Sequence, residues 1–286
     1  MSIVFLLFLL ICIVLFYFNI VNGQDGVFVG DEIDGDGDTM LVSLLLEAAR
    51  EGDIDGIREE LAKGANIDTT NVNGWSAAAF AVAAGKLGAL ELLIQEGIDL
   101  NQANDEGMTP LMLASLQGDK EMVELMIQNN ADPTIATASG ETAFSIAKQS
   151  GRALVQLLIA ESCVIHGMNR DDDALVIEYI KNGAYVNIPS ASGWTPIIHA
   201  SYLGNESAVE ELIALGASVN QAEYDGWTPL HFAAFNNHFA VVESLVNNGA
   251  YVSPQTNDGR TPLAMAEKAG NTIIASYLES KTDNEL

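Results

Sequence analysis

Histidine and cysteine are the side chains that could serve here as metal ligands, general bases or nucleophiles, and they are few. The cysteines are Cys12 and Cys163, and the histidines are His166, His199, His231 and His238. Their spacing matches no His-Glu-x-x-His zinc motif and no Gly-x-Ser-x-Gly nucleophile motif, and no phosphate-binding glycine loop accompanies them. We therefore expect no enzyme active site, no metal site and no cofactor. Cys163 is expected to be a small buried packing residue.

The acidic run from Asp31 to Asp38 is the next candidate for chemistry, because its carboxylates could bind calcium. A calcium loop needs a Gly at its sixth position and a bidentate Glu at its twelfth. Starting the loop at Asp34 puts Thr39 at the glycine position, and starting it at Glu32 puts Ser43 at the last ligand position. Neither frame works, so we interpret this run as a flexible acidic linker.

The net charge of the chain is −27, and all of this charge lies after residue 24. Binding to nucleic acid depends on clustered Lys and Arg, so we expect no nucleic-acid partner. The negative electrostatic field of this chain favours a protein or peptide partner with basic character.

The elements that position these residues repeat along the chain. A glycine starts a similar unit every 33 residues within each of two groups, and the second group is the first shifted by 119 residues. These glycines are Gly74, Gly107, Gly140, Gly193, Gly226 and Gly259. A period of this size is typical of stacked helical repeats, in which one unit cannot bury its own apolar face.

The unit at residues 226–250 is the clearest copy. Thr228 can cap a first helix, Pro229 suits its first position, and Gly249 suits the left-handed end of a second helix. With His231 completing a Thr-Pro-Leu-His start, the unit resembles the ankyrin repeat, and the resemblance covers roughly residues 41–281. It implies an all-α solenoid of helix-turn-helix units with β-hairpin-like fingers. It also implies that His231 is a hydrogen-bonding partner of the helix start.

The repeats divide into two blocks. We predict an acidic linker at 24–40, a first ankyrin block at 41–162, a second at 163–281 and a tail at 282–286. Between Gly140 and Gly193 the chain has 53 residues, fewer than two full units. Either a shortened unit joins the blocks, or one long helix runs from Arg152 to Arg170, and the sequence leaves both open.

The first 23 residues have the features of a targeting segment. Residues 3–18 are continuously apolar, and Val21-Asn22-Gly23 fits signal-peptide cleavage before Gln24. An uncleaved membrane anchor is the alternative, since about 20 apolar residues span a bilayer. The flank from Asp25 to Asp38 holds six acids and no base, so in either case we expect the repeats to face the lumen or the exterior.

Two short signals fit a secretory-pathway location, either secreted or in the ER lumen. Asn205 begins the only Asn-x-Ser/Thr glycosylation sequon that follows this segment, in a turn between two helices. The last four residues, 283–286, resemble an ER-retrieval tail, although Asn284 and Asp283 depart from the usual residues.

The resemblance places finger tips and first helices along a partner groove. The residues predicted to line it share aromatic, apolar or acidic side chains at those positions. They are Trp194, Tyr202, Leu203, Tyr224, Asp225, Trp227 and Phe235 in the second block, and Trp75, Asp105, Glu106, Met108 and Leu116 in the first. We place Trp194, Tyr224 and Trp227 at its centre, because aromatics ringed by polar groups are typical of binding hot spots.

From these patterns we expect a non-catalytic scaffold that binds a protein or peptide and is itself a monomer. A membrane-anchored ankyrin protein is the alternative, and an enzyme or metal-handling protein is a weaker one.

Overall fold

The computed structural model describes the backbone of residues 37–282 and the side chains from residue 44 onward. The predicted signal segment, most of the acidic linker and residues 283–286 lie outside this range. The described residues divide into two compact units, the first ending at Ile159 and the second beginning at Ala160.

The first unit is built from helices. Its elements are α1 (Gly37–Glu51), α2 (Ile54–Ala62), α3 (Ala77–Ala83), α4 (Leu87–Gln95), α5 (Pro110–Gln117), α6 (Lys120–Gln128) and α7 (Ala143–Gln149). The first helices of successive repeats, α1, α3, α5 and α7, pack in sequence, and so do the second helices α2, α4 and α6. Because α1 begins at Gly37, the last four residues of the predicted linker are helical.

The second unit continues the helical pattern. A long helix, α8 (Ala153–Asn169), contains the boundary between the units. It matches the alternative of one continuous helix at the joint. The helices after it are α9 (Asp173–Lys181), α10 (Pro196–Leu203), α11 (Glu206–Ala214), α12 (Pro229–Phe235), α13 (Phe239–Asn247), α14 (Pro262–Ala269) and α15 (Thr272–Thr282).

Helix starts repeat between the two units. Helices α2, α4 and α6 begin at residues 54, 87 and 120, and α9, α11 and α13 begin at 173, 206 and 239, an offset of 119 each. The all-α class is confirmed, since among residues 37–282 the only β pairing consists of isolated antiparallel bridges, Thr70 with Ser76 and Ala136 with Thr142.

Two of the helices begin with the Thr cap and the first-turn Pro that the sequence predicts. The Thr109 side chain accepts a hydrogen bond from the backbone N–H of Met112, and Pro110 occupies the first turn of α5, where a missing N–H costs little. Thr261 and Pro262 do the same for α14. Helix α3 is capped by Ser76 in place of Thr, and it has no Pro.

Apolar side chains hold each stack together. The whole of α3 is buried, including Phe80, and the second helices bury one stripe, such as Val241, Val242 and Leu245 of α13. Cys163 is fully buried in α8, as expected of a packing residue.

A ladder of hydrogen bonds links successive turns at the repeat spacing. In each step of this ladder, a side-chain oxygen accepts a hydrogen bond from the backbone N–H of a residue 31 positions later in the chain. Its members are Asp68 with Asp99, Asn101 with Asp132, Asn187 with Ser218, and Asn220 with Tyr251. Each bond joins one repeat to the next, so the stack is fixed by polar as well as apolar contacts.

Candidate functional site

The finger that carries Trp227 is closed by Glu223. The backbone N–H of Glu223 donates to the carbonyl of Trp227 at 3.0 Å, and its carbonyl accepts from Gly226. Its carboxylate accepts from the N–H groups of Trp227 and Asp225, at 3.0 and 2.9 Å. Charge-assisted hydrogen bonds of this kind are among the stronger ones in proteins, so the backbone under Trp227 is held firmly.

The same closure occurs at six fingers. At each finger, the bond is accepted by a side-chain oxygen of the residue that lies three positions before the unit glycine. The donor is the backbone N–H of the residue directly after that glycine. The accepting residues are Asn71, Asn104, Thr137, Ser190, Glu223 and Thr256. The fingers are therefore ordered platforms for the residue after each glycine.

Phe232 links the two tryptophans of the second unit. Its ring centroid lies 4.8 Å from that of Trp194 and 4.9 Å from that of Trp227. Tyr202 lies 5.2 Å from Trp194 in an edge-to-face arrangement, and Phe235 lies 6.0 Å from Trp227. These distances are within the range of favourable aromatic pairs. We call the five residues the aromatic surface.

The aromatic surface is partly open to solvent. Tyr202 is 45 % exposed and Phe235 is 39 % exposed, while Trp194, Trp227 and Phe232 are half-buried. Among the described residues, the indole N–H groups of both tryptophans have no hydrogen-bond acceptor. The surface thus combines apolar ring area with unused donors.

Sequence reasoning missed Phe232. It directly follows the Thr-Pro-Leu-His start, and it was given no role in the predicted site. Its counterpart one block earlier, Leu113, is buried. The signal that could have found it is its aromatic side chain on α12, the first helix of the unit that carries Trp227.

Tyr224 does not occupy the predicted centre. Its side chain is 68 % exposed, and its ring lies against Gly193 of the preceding finger. Among the described residues it makes no ring contact with either tryptophan. Phe232 takes the central place, while Asp225 is exposed beside Tyr224 and Leu203 is half-buried at the end of α10.

The candidates in the first unit are placed differently. Trp75 is 5 % exposed and Met108 is 2 % exposed, so both side chains contribute to packing and offer little surface to a partner. Asp105 and Glu106 are exposed, and Leu116 is half-buried. The positions match those of the second unit, but a position in the repeat does not determine how deeply its side chain is buried.

Arg260 covers one side of Trp227. Its guanidinium lies 5.6 Å from the Trp227 ring centroid and forms an ion pair with Asp258. The hydrogen bond from Arg260, helped by one from Thr256, lowers the pKa of the exposed Asp258 carboxyl to about 2. The same pairing raises the pKa of Arg260. Sequence reasoning did not identify this cation at the edge of the surface.

His231 has the structural role that the resemblance implies. It is fully buried, its Nδ1 accepts from the Thr228 N–H at 3.1 Å, and its Nε2 donates to the Arg260 carbonyl at 3.0 Å. Burial lowers its pKa, so the neutral ring with its proton on Nε2 is the form that fits.

The other histidines do not converge on one point. His199 Nε2 lies 3.1 Å from Asp171 Oδ1, His238 Nε2 donates to the Tyr202 carbonyl at 3.0 Å, and His166 contacts Arg170. Within residues 37–282 no three His, Cys, Asp or Glu side chains are grouped as metal ligands.

Asn205, the sequon residue, is exposed, and both polar atoms of its side-chain amide form hydrogen bonds. Its Oδ1 accepts from the Ala208 N–H at 3.2 Å, which caps α11, and its Nδ2 donates to Asp173 Oδ2 at 2.7 Å. Glycosylation there stays a prediction, and a glycan would share Nδ2 with this hydrogen bond.

Comparison with known proteins bears on the fold more than on the site. The helices of residues 37–282 include none that is both long and apolar enough to cross a membrane. A search of curated proteins gives no match to this chain. The family model for ankyrin repeats in three copies matches residues 45–137 and again residues 165–256. The chain therefore belongs to the ankyrin-repeat family, whose repeats generally act as protein–protein interaction modules.

Proposed function

We propose that this chain is a non-catalytic scaffold that holds a protein or peptide partner on the aromatic surface of its second unit. The observation that carries the proposal is the row of rings joined through Phe232. Five aromatic side chains remain partly open to solvent on a rigid support. Binding hot spots are enriched in such residues.

The surface supplies polar as well as apolar contacts. The free indole N–H groups of Trp194 and Trp227 can donate to carbonyl oxygens of a partner backbone. Asp225 is exposed at the rim and pairs with no base among the described residues, so it favours a partner with positive charge nearby. A basic peptide with an apolar anchor fits both features.

The rigidity of the site supports the same function. The carboxylate of Glu223 fixes the finger under Trp227, and His231 ties the start of α12 to the next finger through Arg260. A surface ordered before binding loses little conformational entropy on association.

The location of this activity is part of the proposal. We place the repeats in the lumen of the secretory pathway or outside the cell, on the strength of the apolar run at residues 3–18 and the acidic flank after it. N-terminal sequencing of the protein from its native source should read Gln24. An intact Met1 in the membrane fraction would support the anchor instead.

Substitution of Trp227 tests the binding site. A partner recovered on chain 24–286 is titrated against the native protein and Trp227→Ala, with Tyr251→Ala as the control. Tyr251 is 68 % exposed and lies outside the aromatic surface. Loss of a hot-spot anchor costs about 2 kcal/mol or more, so Trp227→Ala should weaken binding by at least ~30-fold.

Circular dichroism must show the native helical signal for both variants. Equal binding by Trp227→Ala and the native chain would contradict the site. Trp75→Ala is not a suitable control, because Trp75 is buried and its loss would act on stability.

A further inference from the structure

The turn between the two helices of each repeat contains one residue with a left-handed backbone. Six of these eight residues are glycines, namely Gly52, Gly85, Gly118, Gly151, Gly204 and Gly270. The other two are Asn237, with a φ of 64°, and Asp171, with a φ of 56°. A side chain costs free energy in this conformation, although Asn and Asp are tolerated best. The turn itself therefore gains nothing from the carboxylate of Asp171.

His199 is a second departure from the repeat pattern, in the next repeat along the chain. It lies on α10, six residues after the finger glycine, and is only 6 % exposed. At the same position the other five repeats carry an apolar side chain, namely Phe80, Leu113, Ile146, Phe232 and Met265. A buried polar ring is costly unless it has hydrogen-bond partners.

Both ring nitrogens of His199 face carboxylates. Nε2 lies 3.1 Å from Oδ1 of Asp171, and Nδ1 lies 3.5 Å from Oδ1 of Asp173, at the start of α9. Asp173 is buried as well, and its Oδ2 accepts a hydrogen bond from Asn205 at 2.7 Å. Nδ1 of His199 and Oδ1 of Asp173 are buried without a hydrogen-bond partner. The two unsatisfied atoms thus lie within ion-pair distance of each other.

A neutral imidazole cannot satisfy both contacts, because it carries one proton. With the proton on Nε2, the lone pair of Nδ1 faces the carboxylate of Asp173. With the proton on Nδ1, the lone pair of Nε2 faces the carboxylate of Asp171. The imidazolium donates from both nitrogens, so it makes both contacts attractive and charge-assisted.

The neighbouring elements contribute more acids than bases. Helix α12, which packs on α10, has His231 as its one ionisable residue, and that ring is neutral. The bases are Arg170, which contacts His166 at the end of α8, and Lys181 of α9, which pairs with Glu211. The remaining acids of α8, α9 and α11 are Glu161, Glu178, Glu206 and Glu210. This balance of charge favours a cation at His199.

We propose that His199 is protonated in the folded protein and forms a pH-sensitive clamp between two successive repeats of the second unit. The clamp joins α10 to the turn and the first residue of α9 through Asp171 and Asp173. It holds only while both ring nitrogens carry a proton, so its contribution to stability declines as pH rises and the ring loses one. The effect is opposite in sign to that of His231, which is buried in the neutral form.

The direct test is the number of protons on the His199 ring, measured by NMR on the full chain with labelled histidine nitrogens. Nitrogen chemical shifts distinguish the imidazolium from each neutral tautomer. At neutral pH we expect both nitrogens of His199 to be protonated, while His231 in the same sample serves as the neutral reference. A neutral His199 ring, with or without a proton on Asp173, would overturn the proposal.

Three variants test the origin of this charge. Asp173→Asn should leave one proton on the ring, at Nε2, and Asp171→Asn should leave one proton at Nδ1. Asp172→Asn is the matched control, because Asp172 caps α9 and Asn caps equally well. This variant should keep the imidazolium. Two protons on His199 in all three variants would contradict the clamp.

Urea unfolding measures the effect of the clamp on stability. The free energy of unfolding of the native chain should exceed that of Asp173→Asn, and the difference should shrink as pH rises above neutral. A difference that does not change with pH would show that the contact does not depend on the His199 proton.

Discussion

Replacement of His231 by Ala should destabilise the second unit more than any other histidine substitution in this chain. The ring is fully buried and bonds to the start of its own helix and to the next finger. Alanine removes three hydrogen bonds, which join the ring to the Thr228 N–H, the Thr228 hydroxyl and the Arg260 carbonyl. The Arg260 carbonyl keeps its hydrogen bond from the Thr256 N–H.

The size of the effect follows from these contacts. Each lost hydrogen bond costs about 1 kcal/mol, and the cavity left by a buried ring adds to the sum. We expect the free energy of unfolding to fall by about 3 kcal/mol. His238→Ala is the matched control, because His238 is half-buried and makes one hydrogen bond. Its loss should be about 1 kcal/mol.

The pH dependence gives a second measure. Since burial lowers the pKa of His231 below the ordinary value of 6.5, the unfolded chain binds the proton more readily than the folded one. The contribution of His231 is complete above pH 6.5 and is lost as pH falls from there through the folded pKa. His231→Ala should remove that part of the pH dependence.

Urea unfolding of the native chain and both variants, followed by circular dichroism across this pH range, measures both effects. The reasoning is refuted if His231→Ala costs no more than His238→Ala, or if its stability keeps the native dependence on pH.

Three further outcomes are expected. Gly204→Ala should be more destabilising in urea than Gly270→Ala, because both backbones have a left-handed φ (78° and 77°) but only Gly204 faces the ring of a neighbouring histidine. Equal losses would show that this contact relaxes. An NMR titration should find the Asp258 carboxyl with a pKa of about 2, and Arg260→Ala should raise it; no change would mean that the ion pair does not form in solution. Asn205→Ala should cost about 1–2 kcal/mol in thermal unfolding, since it removes a helix cap, and a neutral result would deny that role.

The repeating fold was predictable because its signals are local. A Thr or Ser cap, a following Pro and a glycine at the repeat spacing each act within a few residues of their own position. The helices that start at residues 110, 196, 229 and 262 each begin at the Pro of a Thr-Pro pair. The family match confirms what those signals indicated.

The candidate site was less predictable, because burial depends on neighbours that lie far away in the sequence. Trp75 and Trp227 occupy the same position in the repeat, yet one is buried and the other is half-buried beside Phe232. For the same reason, Phe232 contacts both tryptophan rings although sequence reasoning assigned it no role, whereas Tyr224 lies against Gly193. The sequence shows which residues recur, whereas the packing around each finger decides which of them a partner can reach.

The closure of the six fingers has a consequence for how this surface can change over generations. An amide, a hydroxyl or a carboxylate performs the same task at Asn71, Thr137 and Glu223. What the turn requires is an oxygen atom at the correct distance, and the formal charge of its side chain is not part of that requirement. Selection can therefore alter the electrostatic character of each finger while its backbone stays the same, and the recognition of partners can diverge without a new fold.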